Sequence, residues 1–140
     1  MIADVVERLK TAVPVLKKVE GALSYAAVQV QPPDAVMPAV YVVELTEAFS
    51  AARGMSGGKS QDALVTIAVI LWMSAARLDT AIAPGALEVL RTAIKNALFG
   101  WSPPDSDGAQ FANVAGRLLF AEGKMVVWQQ SFSLQREERQ

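Results

Sequence analysis

The spacing of hydrophobic positions changes several times along the chain, and two segments have the spacing of amphipathic helices. Apolar residues recur at helical intervals from Ile2 to Leu16, and Pro14 is expected to end or kink this helix because it lacks a backbone donor. A second helix is expected to begin near Pro84 and to end before Gly100, a typical C-terminal cap. Its predicted buried stripe is Leu87, Leu90, Ile94 and Leu98.

Five other segments have the composition and alternation of β-strands. They are residues 23–30, 38–45, 63–73, 114–121 and 125–134. The segment 63–73 is apolar on both alternating faces, so we expect helices on one face and more of this chain, or a neighbouring molecule, on the other. In the last strand Gln129 and Ser131 lie on a polar face, which predicts a strand half exposed to water.

The order helix, three strands, helix, two strands predicts the fold. We expect an α+β two-layer sandwich, in which one mostly antiparallel sheet of about five strands packs on two helices. Residues 1–135 are expected to form a single domain, and the polar residues 136–140 a frayed tail. Three glycines predict a flexible connection over residues 50–60, and Gly123 predicts a tight turn between the last two strands.

The composition removes most classes of catalytic chemistry. The 140 residues include no cysteine and no histidine, which excludes thiolate nucleophiles, imidazole acid–base catalysis and most zinc sites. The 13 basic and 14 acidic residues give a net charge of -1, without the basic excess of nucleic-acid-binding proteins. The longest apolar run is far shorter than the ~20 residues of a membrane helix. We therefore expect no enzyme activity, cofactor, bound metal, sequence-specific nucleic acid or membrane partner.

Two motifs in the glycine-rich connection resemble parts of catalytic or nucleotide sites. Gly54 and the pair Gly58-Lys59 resemble a phosphate-binding loop, but three residues separate them where the motif has four, and a strand follows instead of a helix. Ser56 and Lys59 have the spacing of Ser-x-x-Lys, a motif that requires the first turn of a helix. A hairpin loop without nucleotide or catalytic chemistry is the better interpretation of both.

The loop after the second helix, residues 101–109, carries two further candidates. Asp105 and Asp107 before Gly108 resemble part of a calcium loop that lacks its remaining acidic ligands. A turn is the better interpretation, and a weak ion shared between subunits is the alternative. Trp101 lies at the entrance of this loop and is the best candidate for a contact residue, whereas Trp72 and Trp128 lie on apolar strand faces and are expected in the core.

The order and pattern of these segments resemble the tail terminator, or tail completion, proteins of lambda-like and Mu-like long-tailed bacteriophages and prophages. The resemblance follows an N-terminal amphipathic helix, a proline-led strand, a glycine-rich loop, a strongly apolar strand, a helix and a final strand. Its most specific part is 98–103 with the terminal hairpin. The segments that carry it are Met37-Pro-Ala-Val-Tyr-Val-Val-Glu-Leu45, Ile70-Leu-Trp-Met-Ser-Ala-Ala-Arg77, Ala97-Leu-Phe-Gly-Trp-Ser-Pro-Pro104 and Val127-Trp-Gln-Gln-Ser-Phe-Ser-Leu134.

The resemblance implies a structural virion protein that is made in the host cytoplasm and placed in the phage tail. It implies a hexameric ring on the end of the tail tube, which stops tube polymerisation and offers the surface for head attachment. The implied partners are further copies of the chain, the tail tube protein and head–tail connector proteins. We expect the contact residues in two loops, and the candidates are Arg53, Met55, Lys59, Trp101, Pro103, Asp105 and Asp107.

Three other functions stay open at this point. A head–tail connector subunit is the structural alternative, because connector rings also use small α+β or β domains. A small-molecule or peptide-binding module could use the same sheet as its platform. An enzyme is disfavoured, since the remaining polar residues form no catalytic constellation.

Overall fold

The chain builds one five-stranded mixed sheet with helices on one of its faces. The computed structural model describes residues 1–22, 36–50, 54, 60–74, 83–104, 106–122 and 125–139. The elements are α1 (Ile2–Ala12), β1 (Lys18–Ala22), β2 (Ala39–Phe49), β3 (Ser60–Ser74), α2 (Ala83–Leu98), β4 (Ala112–Glu122) and β5 (Met125–Arg139). The strands lie in the order β1-β2-β3-β5-β4; β1 and β2 are parallel, and the other pairs are antiparallel. This confirms the predicted α+β fold.

The first helix is shorter than its hydrophobic pattern suggests. Val5 and Leu9 are fully buried, as predicted, but α1 ends at Ala12 and Lys18 already begins β1. Val13 leaves the helical conformation, with φ -127° and ψ 70°, because a residue before a proline avoids the helical region. Leu16 is still buried, so its apolar position reflects the core rather than a further helical turn.

The strand predicted at residues 23–30 lies outside the described residues, and the first described strand precedes it. Residues Lys18–Ala22 pair in parallel with Ala39–Val43. The sequence of β1 contains two charged residues and Gly21, a composition that does not favour a strand. Pairing with β2 and packing against α1 override that local preference.

Strand β3 is the centre of the sheet, and both of its faces are buried. Val65, Ile67 and Val69 face the helices and join the larger core with Leu9, Leu90, Ile94 and other side chains of both helices. On the opposite face, Ala68, Ile70 and Trp72 form a second core. Its other buried members are Met37, Ala39, Val43 and Val127. Both faces are buried within the single chain, which corresponds to the first of the two predicted alternatives.

Strand β5 differs from its prediction in two ways. Residues 136–139, assigned from sequence to a frayed tail, continue the strand and pair with residues 60–63 of β3. The face that carries Gln129 and Ser131 is buried rather than half exposed, and the Gln129 side-chain amide donates to the Ser131 hydroxyl at 3.3 Å. The polar pattern therefore reflects a hydrogen-bonded buried face and not contact with water.

Gly116 of β4 packs closely against two side chains of the neighbouring strand β5. Trp128 Nε1 donates to Gln130 Oε1 at 3.3 Å, and the guanidinium of Arg91 on α2 lies 3.7 Å from the centre of the Trp128 ring. Gly116 of β4 lies directly opposite Gln130. A Cβ atom at position 116 would lie 2.6 Å from Gln130 Oε1 and 2.9 Å from Trp128 Cζ2, so a side chain here would force these two residues to shift.

We predict that Gly116→Ala lowers the free energy of unfolding by about 1–3 kcal/mol, because the new methyl group displaces Gln130 and the indole of Trp128. Urea denaturation measures the change. Ala115→Ser, at the exposed neighbouring position, is the matched control and should stay within about 0.5 kcal/mol of the parent. Equal stabilities of the two variants would show that position 116 tolerates a side chain.

Candidate functional site

One end of the described sheet extends as three strands. Among the described residues, β1 pairs with β2 as far as Val43, and β4 pairs with β5 as far as Ser133. Beyond these points the described sheet consists of residues 44–49 of β2, 60–66 of β3 and 133–139 of β5, which we call the distal sheet. All six residues 44–49 are exposed, so the described residues leave this part of the sheet uncovered.

The distal sheet combines apolar and charged side chains. Phe49 is 53% exposed and Leu64 is 43% exposed, both large values for apolar residues. Arg136 Nη2 lies 3.5 Å from Glu47 Oε1, which joins β5 to β2 across β3. At the tip, the Ser50 amide donates to the Asp62 carbonyl at 2.8 Å, and the Asp62 amide donates to the Ser50 hydroxyl at 2.8 Å. These contacts order the strands up to the glycine-rich connection.

Only Gly54 of the glycine-rich connection belongs to the described residues between Ser50 and Ser60. Its φ of 151° is a backbone conformation that favours glycine. The candidate contacts Arg53, Met55 and Lys59 lie outside the described residues, as does Ser56 of the Ser-x-x-Lys motif. The position of the connection follows from its ends: it joins β2 to β3 at the tip of the distal sheet.

The second candidate loop begins where α2 ends. Gly100 has a φ of 78°, as its predicted capping role requires, and the Trp101 amide donates to the Leu98 carbonyl at 3.0 Å. The loop closes where the Gly100 amide donates to the Phe111 carbonyl at 2.9 Å and the Phe111 amide donates to the Trp101 carbonyl at 3.0 Å. Phe111 directly precedes Ala112, which lies opposite Ser133, so the loop lies at the base of the distal sheet.

Two serines hold this loop together. Ser106 is buried, and its hydroxyl donates to the Pro103 carbonyl at 2.6 Å. The Ser102 hydroxyl donates to the Ala109 carbonyl at 2.8 Å and lies 3.0 Å from the Ser106 hydroxyl. Pro103, Asp105 and Asp107 of this loop were predicted from the sequence as contact residues, but Ser106 was not. The serine in Pro-Pro-Asp-Ser was a usable signal, because short hydroxyl side chains often bond to nearby backbone in turns.

The predicted contact residues of this loop have different environments. Trp101 is half-buried and stacks on Phe111, with ring centres 6.2 Å apart, while the guanidinium of Arg8 lies 5.6 Å from the indole. Pro103 is buried. Asp107 is exposed and has a φ of 54°, which is uncommon for a residue other than glycine. Asp105 lies outside the described residues.

The described residues contain little that suggests a ligand site. No group of acidic side chains among them could hold a metal ion. Neither described helix is long and apolar enough to span a membrane. An open groove of about 330 Å³ is lined by Ile2, Gly21, Ala22 and Glu44, beside the end of β1. Among its described lining residues Glu44 is the one charged group, whereas small-molecule sites typically have several convergent polar groups.

Trp101 therefore packs within its own chain, in addition to the contact role predicted from the sequence. We predict that Trp101→Ala lowers the free energy of unfolding by about 2 kcal/mol, because it removes a stacked ring at the end of α2. Trp101→Phe, which keeps an aromatic ring, should lose less than half of that. Thermal unfolding of the two variants beside the parent provides the measurement, and an unchanged Trp101→Ala variant would contradict the structural role.

Curated protein sequences give no significant match to this chain. Among solved structures, a chain in the virion of a native gene transfer agent particle has a similar fold, with a TM-score of 0.53 over 99% of this chain and 95% of that chain. The two sequences are 17% identical, so this likeness concerns the fold alone. The family model described as phage tail terminator protein matches residues 2–140, which confirms the resemblance seen in the sequence. The chain belongs to the phage tail terminator family and is a structural protein of the phage tail.

Proposed function

We propose that copies of this chain form a hexameric ring that caps the finished tail tube, stops its polymerisation and provides the surface to which the filled head attaches. The family match over residues 2–140 carries this proposal, because it includes the helices and every strand of the sheet. The partners are the tail tube protein on one side of the ring and head–tail connector proteins on the other. The chain works by binding, in keeping with a family of structural virion proteins.

The distribution of exposed apolar side chains supports an assembly subunit. Several large hydrophobic residues are more than 40% exposed, a pattern that often marks protein interaction surfaces. Phe49 and Leu64 lie on the distal sheet, and Phe99 lies at the C-terminal end of α2. These positions cluster toward the end of the sheet that carries both candidate loops.

We assign the tube-facing surface to this end of the molecule. The glycine-rich connection with Arg53, Met55 and Lys59 joins the strands at the tip of the distal sheet. The loop with Trp101 and Asp107 lies at its base. A tube end is a broad surface, and two loops at different heights along one end of a subunit would contact it at two separate points. Pro103 is buried, so its proposed contribution is to shape the loop.

The direct test is electron microscopy of tail tube protein polymerised with and without this chain. We expect tubes that carry a ring at one end and stop growing, so that the mean tube length falls as the chain is added. The matched control is Ile67→Asp, because a charge at this fully buried position removes the fold. Tubes of unchanged length without bound density at their ends would contradict a terminator, and a ring bound to connector protein alone would favour the connector function.

A second test examines the loop at the base of the distal sheet. We predict that Asp107→Lys raises the concentration needed for half-maximal capping by about tenfold, equivalent to ~1.4 kcal/mol, because it reverses an exposed charge at the proposed contact. Asp107→Asn is the control for conformation, since asparagine also tolerates a positive φ. Capping by Asp107→Lys at the parent concentration, with its fold intact by circular dichroism, would place this loop outside the tube contact.

A further inference from the structure

The exposed face of α2 has a seven-residue repeat. Seven residues make almost two turns of an α-helix, so side chains at this spacing form rows along its surface. The Phe99 amide donates to the Lys95 carbonyl at 2.8 Å, so Phe99 still follows the helix beyond Leu98. Six of the seven residues in these rows are exposed, and Lys95 is partly exposed. The rows are Gly85, Thr92 and Phe99, then Glu88 and Lys95, and then Val89 and Asn96.

We propose that the free chain forms a two-fold dimer, in which the exposed face of α2 packs against the same face of a second copy. The two helices run antiparallel, and the Thr92 residues of the two copies meet at the two-fold axis. Every other residue of the face then meets the residue that lies equally far beyond Thr92 in the other copy. Such a contact closes after two copies, so it differs from the contact that repeats around a ring and does not rest on the proposed ring.

The central row, Gly85, Thr92 and Phe99, is complementary to itself in shape. It lies opposite the buried stripe of α2, and Gly85 and Phe99 are each seven residues from Thr92. The Phe99 side chain is 60% exposed, whereas a Cβ atom at Gly85 would extend into open space, with no contact inside 4 Å beyond the adjoining helix backbone. Phe99 of each copy therefore lies over the open space at Gly85 of the other. An aromatic ring in a closely fitting pocket is the kind of contact that contributes most to protein interfaces.

The two charged residues of these rows are placed so that they pair only between antiparallel copies. Glu88 and Lys95 lie about 10 Å apart along the helix axis, too far for an ion pair within α2, and neither has an ion pair among the described residues. In the dimer Glu88 precedes the axis by four residues and Lys95 of the other copy follows it by three, so the two groups lie on one flank almost level with each other. Two such ion pairs form, one on each side of the axis. A parallel arrangement would instead place like charges opposite each other.

The exposed face of α1 lacks these features, so α2 is the helix that we assign to the dimer. Glu7 and Lys10 of α1 pair within the chain, with Nζ and Oε1 3.5 Å apart, and no exposed residue of α1 has a large hydrophobic side chain. Val89 of α2 is 67% exposed, the largest exposed fraction among the large hydrophobic residues that the structure describes. In the dimer it lies beside Asn96 of the other copy, so the pairing covers both Val89 and Phe99. Exposed apolar residues grouped in this way often mark protein contacts.

Charge reversal in the free chain, without tube protein, tests the pairing. We expect the parent to dimerise reversibly in sedimentation velocity. Glu88→Lys or Lys95→Glu alone should raise the Kd of the dimer about tenfold, because each reversal replaces two attractive pairs by two repulsive ones. A one-to-one mixture of these two variants should dimerise like the parent, since every lysine at these positions then faces a glutamate. The double variant Glu88→Lys/Lys95→Glu should recover for the same reason.

Disulfide formation tests the position of the two-fold axis, because the chain contains no cysteine. In Thr92→Cys the two new thiols face each other across the axis, so mild oxidation should convert this variant rapidly to a covalent dimer. Thr11→Cys, the same substitution at an exposed position of α1, is the matched control and should stay largely monomeric. Both positions are exposed, so we expect an intact fold in each variant, which circular dichroism checks.

Any of three results would overturn the two-fold contact. They are a parent chain that stays monomeric up to about 100 μM, a dimer that single charge reversals leave unchanged, and a Thr92→Cys dimer that forms no faster than the Thr11→Cys dimer. Dimers that weaken under single reversals and return in the mixture would support it. Tube capping is measured separately, so a parent that fails to cap tubes would overturn the proposed function and leave this contact in place.

Discussion

The structure depends on one strand that is buried on both sides. Strand β3 pairs with β2 along one edge and β5 along the other, and its alternating side chains enter two separate cores. Ile67 and Ala68 are both fully buried, although they point in opposite directions. Because burial of each large apolar side chain contributes about 1.5–3 kcal/mol, this strand concentrates much of the stabilisation of the fold in a single segment. The helices, the flanking strands and the distal sheet are all positioned relative to it.

The two-sided core also accounts for the apolar composition. Hydrophobic residues make up 52% of the chain, and the two cores take up most of the large aliphatic side chains of β2, β3 and β5. The large apolar residues that stay exposed lie mainly at strand edges and element ends rather than on a broad open face. Most of the exposed apolar side chains of the described residues are therefore confined to a few strands and element ends.

The sequence predicted those features that follow from local periodicity. The two helices, the apolar strand around Ile67 and the buried stripe of α2 follow from the spacing of apolar residues. Features that depend on residues distant in the sequence could not be predicted from local periodicity. Lys18–Ala22 becomes a strand only because β2 lies beside it, and residues 136–139 become ordered only because β3 begins opposite them. The buried hydroxyl of Ser106 likewise depends on the closed loop around it.

In the candidate site, too, the features set by local sequence were predictable and those set by the tertiary fold were not. Trp101 was predicted as a contact residue, but its stack on Phe111 requires the nine intervening residues 102–110 to bring the chain back to the end of α2. The edge residues Val114 and Leu118 were assigned to a strand without any sign that this strand is outermost, because strand order is set by the topology of the whole sheet. Periodicity identifies which side chains are apolar, and the tertiary fold decides which of them meet solvent.

The continuity of β3 has a consequence for docking. Its 15 residues run without interruption from the core to the distal sheet, a length of about 50 Å at ~3.3 Å per residue. The strands of the distal sheet are thus preorganised by the same hydrogen-bond ladder that holds the core. The entropy of fixing these strands is lost during folding of the subunit, so it no longer opposes binding when a partner is met. A subunit built in this way presents the strands of its distal sheet in their final arrangement before any contact is made.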